Sequence, residues 1–155
     1  MALVVIMSLY ASIGALAAVG SMCLSHRFVP AKHESVLYGL FLVPIACFYL
    51  AFASYFGAVA AWRLETVAVL AFLVLGILGT RLPVALIAGY ALHGVWDLLH
   101  EIHAHAGVDV FAGREPTQIP LAYGAFCFTY DAAMAAYFLY RRGHWSAAWA
   151  AKTAP

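Results

Sequence analysis

Long apolar runs separated by short polar segments organise this chain. A helix needs about 20 residues to cross about 30 Å of hydrocarbon, and five runs of roughly that length lie between charged or turn-forming residues. The predicted spans cover about residues 2–24, 36–62, 66–80, 83–103 and 120–140. The pattern therefore predicts an all-α fold, a polytopic membrane helix bundle of five transmembrane helices, with residues 1–155 forming a single transmembrane domain.

The composition supports a membrane protein and argues against a nucleic-acid partner. Hydrophobic residues make up 66% of the chain and charged residues only 10%, whereas soluble domains are roughly half apolar and one quarter charged. The net charge is +1, and the basic residues stand singly between apolar runs instead of forming a basic patch. We therefore expect membrane lipid and a hydrophobic small molecule as partners, and no nucleic acid. A homo-oligomer is compatible with the sequence.

The loops predict the orientation of the bundle. In a five-span arrangement, one side would carry six of the Lys and Arg residues and the other side only Arg63 and Arg114. The basic side comprises Arg27, Lys32, Arg81, Arg141, Arg142 and Lys152. Because loops rich in Lys and Arg stay in the cytoplasm, the N-terminus is predicted outside and the C-terminus in the cytoplasm. The first run lacks a basic segment before it, so we expect a retained span, with a cleaved signal peptide as the alternative.

The three cysteines give no disulfide signal. Cys23, Cys47 and Cys127 are odd in number and lie within apolar runs. We expect them to be small buried hydrophobic side chains.

Ionisable residues concentrate in the fourth predicted span. Four histidines and two carboxylates fall between His93 and His105. At about 100° per residue, Asp97 lies at about +40° and His100 at about −20° from His93, so these three share one helix face. Glu101 lies further round, at about +80°. His103 and His105 fall off this face near the predicted end of the span, where we expect interfacial residues.

The fifth span supplies two further polar groups at a similar depth. Asp131 lies about a dozen residues into that span, and Cys127 precedes it by one helical turn. Helices joined by one loop usually pack as neighbours, and an ionised carboxylate at mid-bilayer costs at least a few kcal/mol unless it is paired or liganded. The sequence therefore predicts that His93, Asp97, His100, Cys127 and Asp131 converge on one polar pocket.

The donor types in this pocket suit either metal binding or proton transfer. As metal ligands, His93, Asp97, His100, Asp131 and Cys127 would hold a divalent transition metal such as Zn, Fe or Mn. As catalytic residues, His93 and Asp97 would form a proton-transfer pair, Asp131 a second acid and Glu101 a base. The structural alternative is that His93 and Asp97 satisfy each other while Asp131 bonds a tyrosine. The spacing does not match the zincin motif. A bis-histidine haem would need axial histidines on facing helices, and His93 has no embedded histidine partner outside its own span.

These residues also carry a resemblance. The segments His93-Gly94-Val95-Trp96-Asp97 and Cys127-Phe128-Thr129-Tyr130-Asp131 resemble a group of small uncharacterised bacterial integral membrane proteins with a His-x-x-Trp-Asp helix followed by a Cys-x-x-Tyr-Asp helix. The resemblance covers about the last third of the chain and implies a bacterial cytoplasmic membrane. In spacing alone, His93 and Asp97 are similar to the proton-shuttling pair of sterol-isomerase-type five-helix membrane proteins.

Three functions follow from these patterns. The first is a membrane-embedded enzyme, either a metal-dependent hydrolase or an acid/base isomerase or cyclase, that acts on a lipid, isoprenoid or other hydrophobic substrate. The second is a metal-ion or proton transporter or channel subunit that uses the same histidines and Asp131. The third is a non-catalytic accessory subunit of the membrane.

Overall fold

The computed structural model describes residues 1–151 and contains five α-helices. They are α1 (Ala2–Phe28), α2 (Ala31–Tyr55), α3 (Trp62–Gly79), α4 (Pro83–Ala106) and α5 (Tyr123–Ala150), with a short 3-10 turn at Val59–Ala61 before α3. Within residues 1–151 no strand is present. The predicted all-α helical bundle is therefore confirmed, whereas Lys152 lies outside the described residues.

Three helical segments are long and apolar enough to cross a membrane. They are Ala2–Phe28, Ala31–Tyr55 and Val59–Gly79. The helices α4 and α5 contain buried histidines and carboxylates, which lower their hydropathy relative to α1–α3. That these two helices also cross the membrane remains a prediction.

Several helix bounds differ from the bounds predicted for the spans. The second helix begins at Ala31, because Pro30 has a φ of −56° that suits the start of a helix. It ends at Tyr55 before Gly57, whose φ of +66° is left-handed, so residues 56–62 do not belong to it and the third helix starts at Trp62. The fifth helix runs over Tyr123–Ala150, because its C-terminal part is held against α2 instead of leaving the bundle at residue 140.

The expectation of three buried cysteines was also wrong in part. Cys23 is exposed, Cys47 and Cys127 are half-buried, and all three are free thiols. The reason lies in α1, which buries only Gly14, Ala18 and Ser25. Cys23 therefore lies on the outward face of α1, among apolar side chains that are also exposed.

The helices pack so that α4 and α5 share the most extensive contact. The helix α1 packs mainly on α5, α2 packs on α3, and α1 touches α2 little. A Cβ atom at Gly124 would lie 2.4 Å from the backbone oxygen of Asp97, and one at Gly94 would lie 3.1 Å from Cβ of Asp131. The two glycines thus permit the close approach that places Asp131 of α5 beside α4.

The loop between α4 and α5, residues 107–122, covers one end of the bundle. Its Phe111 is buried, with ring centroids 5.5 Å from Trp96 and 4.8 Å from His100. Thr117 and Ile119 are buried as well. This loop therefore closes the end of the bundle to which the histidine-rich part of α4 points.

Candidate functional site

The imidazole of His93 lies between two carboxylates. Its Nδ1 atom is 2.7 Å from Oδ2 of Asp131 and 2.9 Å from Oδ2 of Asp97. Asp97 follows His93 by one helical turn on α4, whereas Asp131 reaches the same nitrogen from α5. These three side chains are at most 1% exposed. The structure thus brings His93, Asp97 and Asp131 together, and we call them the His93 cluster.

A tyrosine from a third helix holds Asp97. The hydroxyl of Tyr49 in α2 donates a short hydrogen bond to Oδ1 of Asp97, and Tyr49 is 1% exposed. This bond turns Oδ2 of Asp97 towards His93. In the structural alternative a tyrosine would bond Asp131; here the tyrosine bonds Asp97, and Asp131 bonds the imidazole. Sequence reasoning missed Tyr49, because a tyrosine within an apolar run has no signal of its own.

The His93 cluster is incompletely paired. Nε2 of His93, Oδ2 of Asp97 and Oδ1 of Asp131 are buried, and among residues 1–151 they have no hydrogen-bond partner with suitable geometry. A buried polar atom without a partner costs about 1–3 kcal/mol, and most buried polar side-chain atoms in proteins do have partners. Oδ2 of Asp97 still faces Nδ1 of His93 at 2.9 Å, so Nε2 of His93 and Oδ1 of Asp131 are the atoms that indicate a place where a ligand, an ion or a substrate group completes the bonding.

An apolar cavity of about 380 Å³ adjoins this cluster. His93 and Asp131 contribute to its wall, and the remaining lining comes from α1, α2 and α5: Ser21, Phe41, Ile45, Phe48, Tyr123, Phe126, Cys127 and Tyr130. Cys127 therefore lies at the cavity wall. It does not join the group of donor atoms, which in residues 1–151 comprises His93, Asp97 and Asp131 within 4.8 Å of one another.

A second cavity of about 320 Å³ continues from the first between α1 and α2. The two cavities share Ser21, Phe41 and Tyr130. Because α1 and α2 contact each other little, the two cavities form a groove that runs along the gap between these helices. The groove leads from the cluster along the gap between α1 and α2, and none of its lining residues belongs to the loop 107–122.

His100 belongs to a separate pair. Its Nδ1 donates to the backbone oxygen of Trp96 at 3.0 Å, and its Nε2 is 3.1 Å from Oε1 of Glu65. The same Glu65 oxygen accepts the backbone N–H of Thr117 at 2.9 Å. Both nitrogens of His100 are therefore engaged, and the structure does not bring His100 into the His93 cluster. Glu65 was not predicted, because its position beside Arg63 is typical of a solvated turn.

Glu101 secures the start of α5. Its Oε1 accepts the N–H of Ala122 at 3.2 Å and its Oε2 accepts the N–H of Gly124 at 2.8 Å. A carboxylate at a helix N-terminus satisfies free backbone donors and interacts favourably with the helix dipole. His105 lies 2.9 Å from the same carboxylate. Glu101 is thus a helix cap in this structure, and its oxygens are not directed at the His93 cluster.

A second buried carboxylate network lies at the opposite end of the bundle. Glu34 is fully buried and accepts from Arg141 (Nη2, 2.8 Å), Trp145 (Nε1, 2.8 Å) and Ser25 (Oγ, 3.0 Å), and from the hydroxyl of Tyr137. This network joins α1, α2 and α5. Sequence reasoning missed it by assigning Glu34 to a loop; a Glu shortly after Pro30 is a helix-start signal that could have placed it in a first turn.

Comparisons of the chain with protein-family models, with curated proteins and with solved structures found no match. The resemblance to small bacterial membrane proteins is neither supported nor excluded by these comparisons. The functional inference therefore depends on the geometry of the His93 cluster and its cavity.

Proposed function

We propose that the protein is a membrane-embedded enzyme that transfers protons to and from a hydrophobic substrate at the His93 cluster. One observation carries the proposal: the buried imidazole of His93 and the carboxylate of Asp131, each with an unpaired atom, line an apolar cavity. An enzyme site needs polar groups beside a mostly apolar pocket that excludes water. In the Glu34 network, by contrast, both carboxylate oxygens accept hydrogen bonds. The combination of unpaired atoms with an apolar cavity is what distinguishes the His93 cluster.

The proposed proton transfer depends on the proton that Nδ1 of His93 shares with the neighbouring carboxylates. Nδ1 of His93 lies within hydrogen-bond distance of Asp131, and Asp97 is fixed by Tyr49 on the other side. A proton can therefore move between the imidazole and a substrate atom while the carboxylates stabilise the charge that develops. Such an arrangement suits isomerisation or cyclisation of a lipid or isoprenoid, in which one group protonates a carbon or oxygen and another removes a proton.

The substrate reaches the cluster laterally. The loop 107–122 covers the end of the bundle, whereas the groove between α1 and α2 is lined largely by apolar side chains. The outward face of α1 is also apolar, with Leu9, Leu16 and Val19 exposed. A substrate dissolved in the bilayer could enter along this gap without first crossing into water.

The topology that fits this function has five membrane-spanning helices. We expect α4 and α5 to cross the membrane with α1–α3, with the N-terminus outside and the C-terminus in the cytoplasm of a bacterial cell. The Glu34 network would then lie near the cytoplasmic side and the loop 107–122 on the outer side. A reporter domain fused to the C-terminus tests this orientation, because an extracytoplasmic readout contradicts it.

Substrate conversion tests the proposed function. Membranes that contain wild-type protein or Asp131→Asn are incubated with a bacterial lipid extract, and the lipids are compared by mass spectrometry. We expect a product peak that grows with wild-type protein and falls at least about 100-fold with Asp131→Asn, since proton transfer by a positioned group contributes about 100- to 10,000-fold. Asp109→Asn, at an exposed position of the loop 107–122, is the control. Lipid profiles that do not differ between wild-type and protein-free membranes contradict an enzyme.

A second candidate function is supported by a line of hydroxyl groups in the groove. Tyr130 donates to Oγ of Ser21, Tyr38 donates to Oγ of Ser25, and Ser25 donates to Glu34. This line extends from beside Asp131 towards the opposite end of the bundle, which is where a proton or metal-ion pathway would need polar groups. Proteoliposome uptake of protons or divalent ions that depends on Asp131 would favour transport; uptake equal to that of protein-free liposomes would exclude it.

A further inference from the structure

The donor atoms of the His93 cluster have the number and type of a catalytic metal site. Nδ1 of His93 and one carboxylate oxygen each from Asp97 and Asp131 lie within 4.8 Å of one another. Three protein ligands with further positions open for water or substrate are characteristic of catalytic metal ions, whereas structural sites are closed by four ligands. One imidazole and two carboxylates suit borderline and hard divalent ions such as Mn, Fe and Zn.

The spacing of these donors requires little adjustment to admit an ion. With metal–ligand bonds of about 2.0 Å, two ligands of a tetrahedral ion lie about 3.3 Å apart. The observed distances from Nδ1 of His93 are 2.7 Å to Asp131 and 2.9 Å to Asp97. The donors would therefore move apart by about half an ångström, and the ion would replace the proton that Nδ1 now shares with the carboxylates.

The charge of the cluster also points to a cation. Asp97 and Asp131 are both buried, and when both are ionised a single imidazole can offset only one of their negative charges. Arg141 is the one buried Lys or Arg side chain in residues 1–151, and it pairs with Glu34. An uncompensated buried charge costs several kcal/mol. No nearby basic side chain in residues 1–151 offsets the second negative charge of the cluster. A divalent ion together with a neutral imidazole would offset both carboxylate charges.

The surroundings of the donors match those of metal ligands. Ligating side chains in proteins are usually held by hydrogen bonds from a second layer of residues. Tyr49 donates to Oδ1 of Asp97, and Oδ2 of the same carboxylate lies 2.9 Å from Nδ1 of His93. Oδ1 of Asp131 is unpaired and buried, so it can bind the ion as a second oxygen or accept from a metal-bound water.

From these observations we infer that His93, Asp97 and Asp131 bind one divalent transition-metal ion whose open positions are available to the cavity. The inference rests on the site of the proposed function and names its cofactor class; with the ion bound, a metal-bound water would supply or accept the transferred proton in place of Nδ1 of His93. The bound ion would polarise a substrate oxygen or activate a water molecule. His100 and Cys127, which the sequence predicted as further ligands, are not part of this set.

Direct metal binding tests the inference without a substrate. The protein is purified in detergent with a tag that lacks histidine, stripped with a chelator, dialysed separately against Mn²⁺, Fe²⁺ under anaerobic conditions and Zn²⁺, and analysed by mass spectrometry for the metal-to-protein ratio. We expect about one equivalent of at least one of these ions. Co²⁺ then serves as a spectroscopic probe, because its visible absorption bands depend on the number of ligands. Loss of these bands on addition of Mn²⁺, Fe²⁺ or Zn²⁺ shows competition for the same site.

Conservative variants identify the ligands. Asp97→Asn and Asp131→Asn should weaken Co²⁺ binding at least about 100-fold, and Tyr49→Phe about 10- to 100-fold, since it removes only the bond that orients Asp97. Asp109→Asn and His144→Ala are matched controls at exposed positions and should bind as the wild type does. Size-exclusion profiles and circular dichroism show whether each variant is folded.

The outcomes separate this inference from the proposed function. A folded wild-type protein that binds less than about 0.1 equivalent of all four ions, or Asp131→Asn that binds Co²⁺ as tightly as wild type, overturns the metal site. If metal-free protein still converts a lipid in an Asp131-dependent manner, the proton-transfer function stands without the metal. If the ion binds but no lipid is converted, the metal site stands and the enzyme proposal fails.

Discussion

Replacing Arg141 by Met should destabilise the bundle much more than the same replacement at the adjacent Arg142. Arg141 is 7% exposed and donates from Nε at 3.1 Å and Nη2 at 2.8 Å to one oxygen of Glu34. Removing one partner of a buried ion pair costs about 3–5 kcal/mol, because the other charge remains buried without compensation. Here Trp145 and Tyr137 continue to donate to Glu34, so we expect the low end, about 3 kcal/mol.

The measurement is reversible unfolding in mixed micelles of a mild detergent and SDS, followed by tryptophan fluorescence. Arg142→Met provides the matched control, because Arg142 is exposed and exposed substitutions usually change the free energy of unfolding by less than about 0.5 kcal/mol. Adding Glu34→Gln to Arg141→Met should recover part of the loss, since the unpaired charge is then gone.

Equal losses in the two single variants would refute this reasoning. That result would mean that Glu34 is not held as a buried ion by Arg141. It would also remove the reason given for the extension of α5 beyond residue 140, because that extension depends on the contacts of Arg141 and Trp145 with α2.

Three further predictions concern the α4–α5 contact and the His93 cluster. Gly124→Ala should lower the free energy of unfolding by about 1–3 kcal/mol, because the added Cβ would lie 2.4 Å from the backbone oxygen of Asp97. Glu101→Gln should speed amide hydrogen exchange in the loop 107–122, because a neutral side chain that carries only one acceptor oxygen replaces the cap of α5. Tyr49→Phe should leave the protein folded but reduce lipid conversion about 10-fold or more, because Asp97 loses the donor that orients it.

A different result would contradict each of these three predictions. Gly143→Ala, at a position where an added Cβ meets nothing within 4 Å, is the control for Gly124→Ala, and similar stability of the two variants would contradict a tight α4–α5 approach. Exchange rates in the loop that are unchanged by Glu101→Gln would contradict the capping role. Full lipid conversion by Tyr49→Phe would mean that Asp97 needs no orientation from α2.

Much of the candidate site followed from helical spacing. His93 and Asp97 lie one turn apart on any helix, and Asp131 reaches a similar depth on the helix that follows the loop. These relations depend only on the rise and twist of an α-helix and on the neighbourhood of consecutive helices. The same spacing placed His100 on the shared face, but it could not show that the imidazole would turn towards Glu65 of α3.

The partners of the carboxylates were not predictable from the sequence. Of the seven Asp and Glu residues, five are buried: Glu34, Glu65, Asp97, Glu101 and Asp131. Glu65 and Glu34 stand beside basic residues at the edges of apolar runs, a pattern typical of solvated loops. Their burial depends on the loop 107–122 and on the C-terminal turns of α5, which fold back over them from distant parts of the chain.

The sequence by itself determined that the chain is a bundle of apolar helices, and that the histidines and carboxylates within its predicted spans fall on α4 and α5. Hydrophobic runs and helical periodicity are local properties, so they can be predicted from the sequence alone. Only the tertiary structure decided which of those groups meet. That choice depends on the close approach at Gly124, on Tyr49 from α2, and on the sparse contact between α1 and α2 that leaves the cavity open beside His93 and Asp131. These are contacts between residues far apart in sequence, and they are set by how the side chains of whole helices fit together.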